Sequence, residues 1–433
     1  MSPKHPWLGP LPGNSQLGRL KFGLAGMQAG GTPDTGTAEF WSVRGTPWVT
    51  ITDMSNNDSV ESTEKCVTAA GISSKRLSVL PPGTLLYSMY ASLGHVAELG
   101  IPAATNQAIL GLEVNARLNK RYAYWQLKAL QPYLNETAAS NTQDNLNAEK
   151  VKNLPFAFLP LAEQTRIANF LDEQTARIDA LIAEKERFAA CMEEYRRAQI
   201  YALVTRGSGE SMKFPTHVAW LGEVPAHWRV VPIKQVARLE SGHTPDKKVS
   251  SYWEKCDIPW VSLNDTGRLL TLDYIYETTV NINQAGLQNS SARLLPEGTV
   301  FFSRDATIGR CGIAARPMAC SQHFIGWVCG PHLLPEYLLY VLRSMSGELE
   351  RLTAGATLKT IGMDDVKKLA IPLPPLEEQR CIVALARSWN AEGVKLQRCA
   401  RMSADLLREY RSSLILAAVT GQLDIDNFKR GVA

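Results

Sequence analysis

Chains that transfer phosphoryl, methyl or acyl groups carry compact residue sets, and none of the common ones is found here. No Gly-x-x-x-x-Gly-Lys-Ser/Thr run could cradle a nucleotide, and Gly207-Ser208-Gly209, the one Gly-x-Gly, reads as a linker at a helix end. The Asn/Asp-Pro-Pro-aromatic tetrad that amino-methyltransferases use is absent. The pairs Pro81-Pro82 and Pro374-Pro375 read instead as a turn and a helix start. There is no His-Glu-x-x-His, and the seven histidines form no close pair at metal-ligand spacing. Pro245-Asp246 and Asp365-x-Lys367 stand too far apart for a metal-dependent nuclease pattern, and no Gly-x-Ser-x-Gly elbow holds a nucleophile. This pattern points away from catalysis.

What remains are loops suited to recognition. In the second half of the chain, Ser241–Lys248 and Ser303–Arg310 carry His243, Thr244, Lys247, Lys248, Arg304 and Arg310, with Arg268 between them. The first half offers Thr32, Asn56, Asn57, Lys75, Arg76, Tyr90 and His95. Arginine and lysine suit guanine edges and phosphates, and asparagine suits adenine. Singly, each of these residues also fits an ordinary solvated surface. Together they gain weight from position: Ser88-Met89-Tyr90 stands where Ser303-Arg304-Asp305 falls, and Asn56-Asn57 stands near the place of Arg268.

That equivalence comes from a duplicated sequence. Thr46-Pro47-Trp48-Val49 recurs as Ile258-Pro259-Trp260-Val261, and Leu80-Pro81-Pro82-Gly83-Thr84 as Leu295-Pro296-Glu297-Gly298-Thr299. In the same register Gly94 pairs with Gly309, Gln107 with Gln322, and Glu194-Tyr195-Arg196 with Glu409-Tyr410-Arg411. Each copy opens with short β-rich runs between Gly, Pro and Asn turns, and with a helix predicted over Lys120–Leu130 or Pro335–Met345. Each closes on a long helix that starts near Pro160 or Pro375. A 4-3 alternation runs through Ile167, Leu171, Ile178, Phe188, Tyr195 and Ala202, and again through Ile382, Ala386, Trp389, Leu407, Tyr410 and Ala417. Glycine ends both helices, at Gly207 and Gly421. The predicted fold is therefore α/β (α+β): domains in tandem duplicate, separated by two long α-helices that form an antiparallel coiled coil with pseudo-two-fold symmetry. The boundaries fall at 1–155, 156–212, 213–370 and 371–433.

Composition agrees. Of 433 residues, 45% are hydrophobic, enough to fill two cores. Apolar runs such as Leu154–Ala162 fall short of the ~20 residues that span a bilayer, and Met1–Pro6 lacks a signal-peptide core. The eight cysteines include no Cys-x-x-Cys and fit reduced thiols. These features predict a cytoplasmic protein. The net charge of +4 permits nucleic-acid binding without requiring it.

The chain resembles the specificity subunit of type I restriction-modification systems. The resemblance is carried by Ser241-Gly242-His243-Thr244-Pro245, Pro259-Trp260-Val261, Pro296–Thr299, Ile308-Gly309 and above all Pro372-Leu373-Pro374-Pro375-Leu376-Glu377-Glu378-Gln379 opening a long helix. It covers nearly the whole chain. The first copy departs from it at Gln28–Pro33 and Phe156–Leu161. The resemblance implies two target-recognition domains, each reading one half of a split sequence in double-stranded DNA through the loop residues named above. It implies that the helical regions bind two methyltransferase subunits, with Glu163, Gln164, Arg166, Glu378, Gln379 and Arg380 at the helix starts as contacts. S-adenosylmethionine for adenine methylation would lie in those partners, and ATP and Mg with restriction subunits. The chain itself would hold no cofactor or metal and catalyse nothing. A coiled-coil interaction scaffold without a DNA role stays as the alternative.

Overall fold

The structure is a computed structural model and describes residues 8, 15–55, 58–90, 92–140, 146–353 and 360–428, with the side chains of 137–140 excepted. The chain forms two compact units, residues 1–186 with 402–433, and residues 187–401. These units divide the long helices rather than detaching them at 155/156 and 370/371. No helix among the described residues is long and apolar enough to cross a membrane.

The first unit is built on a five-stranded mixed sheet of β1 (Leu24–Ala29), β2 (Ser59–Val60), β3 (Leu85–Ser88), β4 (Val96–Leu99) and β5 (Ile109–Val114), in the order β1-β5-β3-β4-β2. Every residue of β3 is buried, as a central strand covered on both faces requires. Helix α1 (Ala69–Lys75) is capped by Thr68, whose side chain accepts from the Gly71 amide. Helix α2 (Lys120–Ser140) extends beyond the predicted Leu130, and Asn119 accepts from the Tyr122 amide at its start. Helix α3 then runs unbroken over Leu161–Arg206.

The second unit repeats this plan. Strands β6 (Ala237–Ser241), β7 (Tyr274–Ile275), β8 (Val300–Ser303), β9 (Cys311–Ala314) and β10 (Phe324–Cys329) take the order β6-β10-β8-β9-β7. Helix α4 (Gln284–Gln288) is capped by Asn283 as α1 is by Thr68. Helix α5 (Pro335–Ser344) carries proline in its first turn, and α6 spans Leu376–Val419. Positive φ angles at Gly207 and Gly421 follow the two long helices, as predicted.

Within each unit the long helices pair antiparallel. In the first, Arg411 donates to Asp179 and Arg408 to Glu186, so rising numbers on α3 meet falling numbers on α6. In the second, Arg196 donates to Asn390 and Gln397 to the Ala189 carbonyl. The seam corrects the predicted register. Leu171 and Ile178 lie in it, but Phe188, Tyr195 and Tyr410 are 45, 56 and 48% exposed. One column of the 4-3 pattern is shifted by a single residue, so Thr175 and Ala189 are buried and the repeat-related Arg196 and Arg411 take inner positions. These arginines reach the seam because they have carboxylate or amide partners there, which apolar periodicity does not register.

The join between globule and helix is the same in both units. Gln164 is fully buried; its Nε2 donates to the carbonyls of Arg117 and Leu159, and its Oε1 accepts from the Asn119 amide at 2.7 Å. Gln379 does the same with His332, Pro374 and the Leu334 amide. Both were expected to touch partner proteins. Their side chains are instead spent on internal backbone groups, with no surface to offer. Tyr122 donates to Ala157, and Tyr337 to Pro372, across the same join.

On the outer side of the second unit, Tyr274 donates to Glu336 at 2.6 Å and Arg387 to the same oxygen at 3.0 Å. Burial works to raise the Glu336 pKa. The Tyr274 hydrogen bond and the Arg387 charge outweigh it and hold the carboxyl below the usual glutamate value. A depressed carboxyl contributes stability above its unfolded pKa and loses it as the pH falls through the folded one. Glu336→Gln should therefore be less stable than the parent at pH 7; the gap should begin to close at about pH 4, near the unfolded glutamate pKa, and go on closing as the pH falls through the lower folded one. Denaturant midpoints measured across pH check this; a gap that does not change with pH would contradict it.

Candidate nucleic-acid interface

In each unit two loops meet at one end of the five-stranded sheet. One follows β1 or β6 and contains Thr32-Pro33-Asp34 or Thr244-Pro245-Asp246. The other follows β3 or β8. The segment before β5 or β10 lies between them.

The first loop is fixed by two tryptophans. Trp48 Nε1 donates to the Gly31 carbonyl and Trp41 Nε1 to the Asp34 carbonyl, each at 3.0 Å. In the second unit Trp260 donates to His243 at 3.0 Å and Trp253 to Asp246 at 3.2 Å. The paired indoles meet edge to face, at 4.9 Å and 5.5 Å between centroids. Glycine is required just upstream: a Cβ on Gly30 would overlap the carbonyl oxygens of Thr105 and Asn106, and one on Gly242 those of Cys320 and Ser321. Asp34 accepts from the Gly36 amide, and Asp246 from the Lys248 amide. The Gly36 amide and the Thr37 hydroxyl, with the nearby Lys75 charge, hold Asp34 below the usual aspartate pKa.

The second loop is held by a serine. Ser88 donates to the Ser92 carbonyl and accepts from the His95 amide. Ser303 donates to Thr307 and accepts from Arg310. Gly94 and Gly309 take positive φ and donate back to the same serines' carbonyls. The Met89 amide binds the Ala108 carbonyl, and the Arg304 amide binds His323. The scaffold thus agrees bond for bond while the side chains on it differ.

The residues singled out from the sequence fall as follows. Thr32 donates to Gln107 Oε1, and Thr244 to Gln322 Oε1. Lys75 and Arg76 are exposed at the end of α1; Lys75 lies beside the first loop, and Arg76 takes a left-handed conformation. Tyr90 is partly exposed, and His95 Nε2 lies 2.9 Å from the Met54 carbonyl. His243, Lys247 and Lys248 are exposed, with Lys248 at the position of Gly36. Arg268 is exposed and donates to the Glu277 carbonyl at 2.9 Å. The Arg310 amide belongs to the serine scaffold. Arg304 is more enclosed, with Nε 3.7 Å from Asp305 Oδ1. Asn56 and Asn57 lie outside the described residues.

At the helix starts Arg166 pairs with Asp426 at 3.1 Å, Glu378 with His227 at 2.9 Å and Arg380 with Glu377. Glu163 lies in the first turn of α3.

The structure adds residues that the loop reading passed over. His323 Nδ1 donates to Asp305 Oδ2 at 2.9 Å, and Asp305 Oδ1 is buried without a hydrogen-bond partner in the same corner. Gln107 and Gln322 are exposed on the inner segment. Their identity at equivalent positions was the signal available for them. No group of His, Cys, Asp and Glu among the described residues could hold a metal.

A family model described as the type I restriction modification DNA specificity domain matches residues 22–187 and 225–385. The chain belongs to this family. The MjaIX type I restriction enzyme specificity subunit of Methanocaldococcus jannaschii is 31% identical over 169 residues, a match that spans only 38% of either chain. The EcoBI type I restriction enzyme specificity subunit of Escherichia coli is 22% identical over 79% of this chain and 74% of its own. Among solved structures, a chain from a study of complex assembly in a type I R-M system superposes with a TM-score of 0.73 at 18% identity, covering 96% of this chain and all of that one. The HsdS subunit of Thermoanaerobacter tengcongensis gives 0.56 at 19% identity, covering 95% and 98%. The structural likenesses show a shared fold, and the tandem architecture read from the sequence holds.

The close approach at Gly242 gives a test. Gly242→Ala forces its methyl group onto two carbonyl oxygens and should cost about 1–3 kcal/mol in chemical denaturation. Gly209→Ala, with open space around it, should change stability by less than about 0.5 kcal/mol. Equal effects would show that the loop yields freely.

Proposed function

We propose that this chain is the DNA-specificity subunit of a type I restriction-modification complex and that it reads a bipartite target, one half with each unit. The observation that carries this reading is the paired scaffold. Two loop clusters with the same internal bonds present Tyr90, Ala108 and His95 in one unit, and Asp305, His323 and Arg310 in the other, while the position of Arg304 is taken in the first unit by Met89, which is buried in the core. One framework with two sets of readers is what two unlike half-sites need. Arginine and lysine would serve guanine edges and phosphates, and Asp305, oriented by His323, would accept from a base amino group.

Catalysis belongs to partners in this reading. Two methyltransferase subunits would bind the helical regions, 156–212 and 371–433, and bring S-adenosylmethionine to adenine. Restriction subunits would join through that complex and bring ATP and Mg. The exposed apolar side chains along the helices, Phe188, Tyr195, Leu406 and Tyr410 among them, suit such docking better than the buried Gln164 and Gln379. Arg166, Glu378 and Arg380 remain accessible for contacts at the helix starts. The cytoplasm, where DNA and these partners meet, is the proposed location. A coiled-coil scaffold without a DNA role is disfavoured by membership of a DNA specificity family.

Domain exchange tests the reading. Residues 213–370 replaced by the matching segment of a relative should change one half of the methylated motif and leave the other unchanged, as read by mapping methylated adenines genome-wide. A change in both halves would contradict independent reading.

A further inference from the structure

One side-chain pair in the loop cluster is the same in both units, while its neighbours differ. Thr32 donates to Gln107 Oε1 and Thr244 to Gln322 Oε1. Around them Ala108 gives way to His323, Met89 to Arg304, Tyr90 to Asp305 and Gly36 to Lys248. The threonines cannot drift, because each loop is held by its tryptophans and by the glycine packed on carbonyl oxygens. Both glutamines are exposed. With Oε1 engaged by threonine, each exposed amide keeps two N–H donors, and no described residue takes them.

We propose that Gln107 and Gln322 each donate to a backbone phosphate of the DNA, one in each half-site, and that Thr32 and Thr244 are positioning residues that orient them. The proposal rests on the reading of the chain as a two-part DNA reader. Side chains that distinguish bases must differ between units that read unlike half-sites. A pair that stays the same faces what both half-sites share, the sugar–phosphate backbone, which fixes register and carries no sequence information. The donor arrangement agrees. A glutamine that reads adenine uses Oε1 and Nε2 together, whereas a phosphate oxygen only accepts and is served by the amide nitrogen alone. The common scaffold then sets each unit on its half-site by the same contact, and the variable side chains read bases from that fixed position.

The test uses the chain assembled with its methyltransferase subunits and duplex DNA. Gln322→Ala should bind cognate and half-site-scrambled duplexes about tenfold more weakly, with similar loss on each, as a hydrogen bond to a charged acceptor predicts. The dependence of affinity on salt should keep its slope, because a neutral amide releases no counterion. Gln322→Glu, of the same shape, should bind more weakly still, since it turns a carboxylate toward the phosphate. Neutral methylphosphonate substitution, scanned along the second half-site, should find one position that weakens the parent complex but not Gln322→Ala. Gln107→Ala should pick out a position in the other half-site. Loss of discrimination at a single base would make the glutamine a base reader and overturn the proposal. Variants that bind like the parent, or a scan with no position that becomes silent in the variant, would reduce the pair to an internal clasp and also overturn it. If the parent complex does not bind duplex DNA at all, the DNA-reading function itself fails, a result distinct from these.

Discussion

The fold depends on covering the apolar seam of two helices, each more than forty residues long. A helix of that length carries a stripe of about 65–70 Å, more than a globule of this size covers. The chain meets the requirement by division. The first part of α3 is buried against the last part of α6 in one unit, and the remaining parts meet in the other. The antiparallel pairing makes both halves equivalent, so the same join, with a buried glutamine and a tyrosine bridging to backbone carbonyls, serves twice.

From that join the geometry of the loops follows. Gln164 and Gln379 bind the helix starts to the turns preceding α2 and α5. Those helices pack on the five-stranded sheets, whose buried central strands β3 and β8 lead directly into the serine-held loops. Each loop is then closed by short bonds of its own: indole to carbonyl, serine to amide, glycine against carbonyl oxygen. Nearly every bond that shapes the loops comes from backbone or from a residue common to both units. Side chains such as Arg304, Asp305 and Tyr90 are left free to differ, so a reading surface can change without a new fold.

Much of this was legible in the sequence because duplication supplied an internal comparison. Pro47-Trp48-Val49 against Pro259-Trp260-Val261 set the register, and the proline-rich starts and terminal glycines marked both long helices. The seam register was not legible to the residue. Apolar counting favours Phe188 and Tyr195, whereas the fold buries Ala189 and admits Arg196, whose partner Asn390 on the other long helix becomes visible only in three dimensions. Gln164 and Gln379 were misread for a related reason: a polar residue at a helix start looks like surface until the carbonyls that enclose it are seen. The His323–Asp305 pair joins two loops distant in sequence, and no local pattern announces it.

The central claim is that one chain, through two copies of one scaffold, chooses where a modification complex acts. The most direct measurement compares methylated adenines across the host genome with and without the gene for this chain, leaving its partner genes in place. The account predicts that a single split motif, two short specific sequences around a gap of fixed length, loses methylation when the chain is absent and regains it when the chain is restored. Unchanged methylation at every motif, or loss of a continuous motif with no gap, would contradict it.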